Sequence, residues 1–165
     1  AGQWTWPEGM INERVEARIR RQAVLASDKR FHFVVDEAAL RRNVGSPVVM
    51  RAQIDHVVGV AALENVVIQV VPFELGPHPG LDGSFTLLRF ESSRLPDVVM
   101  VEGLAGAMLI DSAQQVSLYG DVFRDLVAHS LSPADSLNWL AEIFAGRPSH
   151  PERAFPRDME NTGRE

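Results

Sequence analysis

VVIQVVPFELGPHPGLDGSFTLLRF, residues 66–90, is the stretch on which the reading of this chain turns. Val66, Val67, Ile68, Val70 and Val71 form a β-branched run, which is the signature of a buried strand. Phe85, Leu87 and Leu88 open a second short strand that closes near Phe90. Between the two, Gly76-Pro77-His78-Pro79-Gly80 excludes regular structure. Proline has no amide hydrogen to give, and glycine reaches backbone angles that other residues avoid. A loop so constrained, carrying His78 and Asp82, is either a rigid turn or the rim of a pocket.

Working outward, the spacing predicts a helix over 11–26, where Val15, Ile19 and Ala23 make one apolar stripe. Phe31 to Val35 alternates as a strand, and Asp36 is placed to cap a short helix by accepting a backbone N–H. Ser46-Pro47 opens another helix, with serine as cap and proline at the first position. Its apolar side holds Met50, Ile54, Val57, Val58 and Ala61. Residues 96–101 and 105–110 are apolar and short, and Gly103 and Gly106 bracket a hairpin turn between them. A long helix follows Asp111-Ser112, with Val116, Tyr119, Phe123, Leu126 and Val127 along one side. Ser132-Pro133-Ala134-Asp135 is a compact start signal for a last helix carrying Leu137, Leu140, Ile143 and Phe144. Gly146-Arg147-Pro148 ends it.

These elements predict an α+β domain, a mixed β-sheet of about five strands packed against helices, with two helices at the C-terminal end. The expected organisation is a leader over 1–10 containing Trp4 and Trp6, a single domain over 11–147, and a polar flexible tail over 148–165. The chain has 165 residues, enough to bury a core without covalent staples. It has no cysteine, which excludes disulfides, thiolate metal sites and cysteine nucleophiles. That absence fits a cytoplasmic protein, and no apolar run is long enough to span a membrane. A net charge of −6 with a single lysine, Lys29, argues against direct nucleic-acid binding, which rests on basic side chains neutralising phosphates. The local exception is Arg14, Arg18, Arg20 and Arg21, interleaved with Glu13 and Glu16 as on a solvated helix face.

Several phrases taken together carry a resemblance: RIRRQAVL (18–25), DEAALRRNVG (36–45), VVMRAQIDHV (48–57), VIQVVPF (67–73), GLDGSFTLLRF (80–90), PDVVMVE (96–102) and HSLSPADS (129–136). Over roughly residues 14–145 the chain resembles the actinobacterial domain of unknown function that follows an XRE-type helix-turn-helix in many regulators. The resemblance implies a cytoplasmic sensory or partner-binding domain, here as a stand-alone copy without the DNA-binding helices. It transfers no catalytic residue. Relatives tend to carry aromatic residues near Met100 and Met108 and a threonine near Gly103, so the residues here imply a roomier, softer lining.

Candidate chemistry is sparse. His78 could serve as a general acid or base if Asp82 or Glu102 oriented it; the bland reading is an exposed loop histidine. Glu102 is either a strand-end surface carboxylate or a partly buried acid. Arg41 and Arg42 offer a bidentate hold on an anion, against the simpler reading of a helix-surface ion pair between Glu37 and Arg41. No metal-binding spacing, nucleotide-binding glycine motif or nucleophile elbow is present, so no cofactor is expected.

The expectation is therefore a binding domain for a small apolar molecule or a small protein partner, with a homodimer also allowed. Trp4, Trp6, Phe73, Phe85, Met100 and Met108 would supply contact surface, and Arg41, Arg42 and His78 polar specificity. The alternative is a cofactor-free enzyme of natural-product biosynthesis, a cyclase or isomerase, with His78, Glu102 and Asp82 as candidate catalytic residues. A third reading is a protein-interaction module that docks through the tryptophan leader.

Overall fold

The computed structural model describes residues 7–91, 94–103 and 106–145. Helix α1 spans Glu8–Gln22 and tightens into a 3-10 turn over Ala23–Ala26. Strand β1 (Phe31–Asp36) runs into the short helix α2 (Glu37–Arg41), then α3 (Pro47–Ala61) and strand β2 (Val66–Val71). Two 3-10 turns, Phe73–Leu75 and Pro79–Asp82, lead to β3 (Phe85–Leu88). Strands β4 (Val98–Gly103) and β5 (Gly106–Ile110) precede α4 (Ala113–His129) and α5 (Pro133–Ala145). The α+β class, five strands and two closing helices are as the sequence predicts. The ends 1–6 and 146–165, which include Trp4, Trp6 and the Gly146-Arg147-Pro148 stop, lie outside the described residues.

The five strands form two sheets. β1 and β2 pair in parallel, with Phe31 opposite Val66 and Asp36 opposite Val71. Parallel neighbours need a crossover, and α2 with α3 supplies it. β3, β4 and β5 form an antiparallel sheet in that order, with Phe85 opposite Val101 and Gly103 opposite Gly106. The strands that flank the 72–84 loop therefore pair with other partners and not with each other. The free edge of β2 is closed by the start of α5: Val70 N–H donates to Ser136 Oγ (3.0 Å), and Leu131 N–H donates to the Val70 carbonyl (2.9 Å). Ser136 is fully buried there, so the backbone groups that a third strand would use are already taken.

The core lies where α2, α3 and α5 cover the parallel pair. Leu40, Met50, Ile54, Val70 and Leu140 are buried together, with Val35, Val57, Val58, Leu131, Trp139 and Ile143 around them. The helix starts are as expected. Asp36 Oδ1 accepts from Ala38 N–H (2.6 Å), Ser46 Oγ from Val49 N–H (3.3 Å), and Ser132 Oγ from Asp135 N–H (3.1 Å). α4 packs against β2, β3 and β4 and so bridges the two sheets. Buried Gln69 ties it in place. Its Nε2 donates to the carbonyls of Val127 (3.3 Å) and Leu131 (2.8 Å), and its Oε1 accepts from His32 Nε2–H (2.7 Å). His32 also stands edge-on to Phe123, a structural role.

α1 departs from the expected packing. Val15 and Ile19 of its apolar stripe are 49% and 61% exposed, so the stripe stays outside the core.

Candidate functional site

The 72–84 loop is held at two points by consecutive residues, the cap and the first residue of the short helix α2. Asp36 and Glu37 stand at the start of α2, beside the end of β2 from which the loop departs. Glu37 is buried, with 3% exposure. One carboxylate oxygen accepts from Phe73 N–H (2.9 Å), and the other accepts from Arg41 Nε–H. The Arg41 guanidinium lies 5.9 Å from the Phe73 ring centre and 5.6 Å from that of Trp139. This cluster is a latch that joins α2, the loop and α5. Its geometry matches the ion-pair reading of Glu37 and Arg41.

The second anchor is Asp36. With Oδ1 capping α2, its Oδ2 accepts from His78 Nε2–H at 2.9 Å. The His78 side chain is only 7% exposed, so the expectation of an exposed loop histidine is corrected. Its partner is corrected too, since Asp36 does the orienting and neither Asp82 nor Glu102 does. An ionised carboxylate only accepts, so Nε2 carries the hydrogen of this contact. The other ring nitrogen, Nδ1, is buried with no hydrogen-bond partner among the described residues. It faces Gly80, where an added Cβ would sit 3.0 Å from Nδ1 and 3.4 Å from Leu126 Cδ1.

Two glycines make this path possible. Gly76 has φ +72° and Gly83 φ +144°, angles that side chains with a Cβ rarely adopt. Between them the chain folds inward and brings the histidine over Asp36. Gly80→Ala is expected to cost about 1–2 kcal/mol by overpacking and to weaken the His78–Asp36 hydrogen bond. Thermal melts and the His78 ring N–H signal in NMR would read both effects. An unperturbed ring signal would mean that the contact is slack.

Two cavities adjoin at the far side of the loop, sharing Gly83, Ser84 and Phe85. One, of about 340 Å³, is lined by Val34, Val71, Phe123 and Leu126, with Asp36 and His78 as polar groups. The other, of about 410 Å³, is walled by Pro79, Val101, Leu118 and Tyr119, with Asp82 and Gln115 as polar groups. Phe85 separates them and packs its ring 4.9 Å from that of Tyr119. The walls are mostly apolar with a few polar groups converging, the usual form of a small-molecule site.

A family model described as "Domain of unknown function (DUF5753)" matches residues 2–142. The chain belongs to this family. Comparison with curated proteins and with solved structures gave no match.

The DUF5753 fold brings together only part of the expected site. His78, Asp82 and Phe85 line the paired cavities. Phe73 and Arg41 belong to the Glu37 latch, and Arg42 lies exposed after the end of α2. Met100 is half-buried in the central strand β4, opposite Thr86 and Leu109. Met108 is exposed on the edge strand β5. Neither methionine lines the two cavities. Glu102 is 56% exposed and faces Arg21 at 3.8 Å, which favours its surface reading. Among the described residues no group of three His, Asp or Glu side chains could hold a metal ion.

Sequence reasoning missed Asp36 as the histidine's partner and α4 as the cavity wall. A faint signal existed for the first. A capping aspartate uses one oxygen on its helix and has a second to spare.

Proposed function

We propose that this DUF5753 domain is a ligand-binding domain that takes a small, mainly apolar molecule into the paired cavities beside the 76–84 loop. In this reading it serves as the sensory part of an actinobacterial, cytoplasmic regulator whose DNA contacts are made by an XRE-type helix-turn-helix. The observation that carries the reading is the pair of adjoining, mostly apolar cavities, one of them lined by a buried, carboxylate-oriented histidine. The acidic balance of the chain, −6, supports leaving DNA contacts to another module.

The alternative, a cofactor-free cyclase or isomerase, is favoured by the His78–Asp36 pair, an arrangement that can tune a general base. Binding ranks first for a geometric reason. A base must come within hydrogen-bond reach of the proton it takes. Here Nε2 is occupied by Asp36, and Nδ1 is covered against Gly80. A turnover assay on whatever molecule the domain retains would separate the two.

Ser84 lies exposed at the junction of the cavities, so Ser84→Trp should fill them without disturbing the core. A neutral solvatochromic dye is expected to bind the unaltered domain saturably. The variant should lose at least about tenfold in affinity, equivalent to about 1.4 kcal/mol, at unchanged melting temperature. Equal dye binding by both proteins would overturn the site. Native mass spectrometry of protein purified from its own host would then give the mass of any retained molecule.

A further inference from the structure

The four arginines of α1 do not share one environment. Arg20 pairs with Glu16 one turn back, at 3.4 Å. Arg14, Arg18 and Arg21, spaced by four and three residues, fall on one side of the helix and line a cleft of about 320 Å³. The opposite wall is formed by the ends of β4 and β5, with Glu102, Gly103, Gly106 and Ala107. The helix is thus turned with its arginine row towards the hairpin, while Val15 and Ile19 remain exposed. A solvated charged face would carry balanced signs. Among the described residues its lining holds three guanidinium groups and one carboxylate, in a chain whose net charge is −6.

The ion pair that Glu102 makes across the cleft is loose. Arg21 and Glu102 stand 3.8 Å apart with both side chains more than half exposed. A charge-assisted hydrogen bond closes to about 2.7–2.9 Å, so a better-fitting anion could displace Glu102 at little cost. Among the described residues, Ala17, Gly103, Gly106 and Ala107 are small and leave room in the lining for a compact group. An added Cβ at Gly106 would meet nothing within 4 Å.

We propose that the cleft between α1 and the β4–β5 hairpin binds a phosphate group, free or as a phosphate ester. The guanidinium forks of Arg18 and Arg21 engage its oxygens, and Arg14 adds positive charge from the preceding turn. Glu102 is the internal counter-anion that occupies the site in the absence of ligand. The site is separate from the paired cavities, and its test is independent of theirs.

The full chain at low ionic strength would be titrated with inorganic phosphate while the arginine Nε–Hε signals are followed by NMR. The signals of Arg14, Arg18 and Arg21 should shift saturably, while that of Arg51, which pairs with Asp55 on α3, should not. Acetate, a monoanion, should produce smaller shifts. Arg18→Gln should weaken binding about tenfold, the value of one charge-assisted hydrogen bond. Glu102→Gln should strengthen it by about the same factor, because it removes the competing carboxylate. Both positions are exposed, so both variants should melt as the parent does. Co-sedimentation with phosphatidylglycerol vesicles that phosphate competes away would assign the phosphate to a lipid headgroup. Saturable phosphate binding without co-sedimentation would assign it to a free ligand. Absence of saturable shifts, or the same affinity in the parent and both variants, would overturn the proposal.

Discussion

Arg41→Ala is expected to destabilise the domain by about 3 kcal/mol, because it leaves a buried carboxylate without its cation. Glu37 is 3% exposed and keeps only the Phe73 N–H as a partner once Arg41 is gone. The figure sits at the low end of the range for broken buried pairs. The Arg41 side chain is 46% exposed, and water screens part of the attraction. The variant also loses the stacking of the guanidinium on Phe73 and Trp139. Replacing both partners, Glu37→Leu with Arg41→Leu, should recover much of the loss, since no charge is then left buried. Urea denaturation of the three proteins measures these differences. A loss of less than about 0.5 kcal/mol for Arg41→Ala would place the pair with ordinary surface ion pairs and remove the latch from the account of the loop.

Asp36→Ala should cost about 2–4 kcal/mol, from two sources of similar size. Loss of the α2 cap contributes about 1 kcal/mol, and the stranded N–H of buried His78 adds about 1–3 kcal/mol. Asp36→Asn separates the two. Its amide oxygen can still accept from Ala38 N–H, but its amide hydrogens then face His78 Nε2. The imidazole would have to place its hydrogen on Nδ1, which has no hydrogen-bond partner among the described residues. An intermediate loss with normal α2 capping is the expected outcome. If asparagine is as damaging as alanine, the histidine contact dominates. If it is harmless, the histidine does not depend on the carboxylate. Weaker dye binding should accompany either loss, since His78 lines one of the paired cavities.

Short-range signals determined much of this protein. The caps at Asp36, Ser46 and Ser132 act within three residues of their helices, so chain order alone fixes them. The hairpin at Gly103 and Gly106, the buried run in β2 and the apolar sides of α3, α4 and α5 are equally local. The Gly- and Pro-rich loop was legible as a break between β2 and β3, although Pro79 and Gly80 enter a short 3-10 turn there.

What the tertiary structure alone decided concerns pairs far apart in the chain. Nothing within the spacing of Asp36 and His78, 42 residues apart, announces that the spare oxygen of a helix cap meets a buried histidine. The division into two sheets depends on Ser136 and Leu131, which take the edge of β2 from across the fold. The four α1 arginines look alike in sequence. Only the position of the β4–β5 hairpin distinguishes Arg20, paired along its own helix, from the three that line a cleft. Periodicity states which residues share a side of a helix. What that side meets is set by packing among elements distant in the chain, which no local spacing encodes.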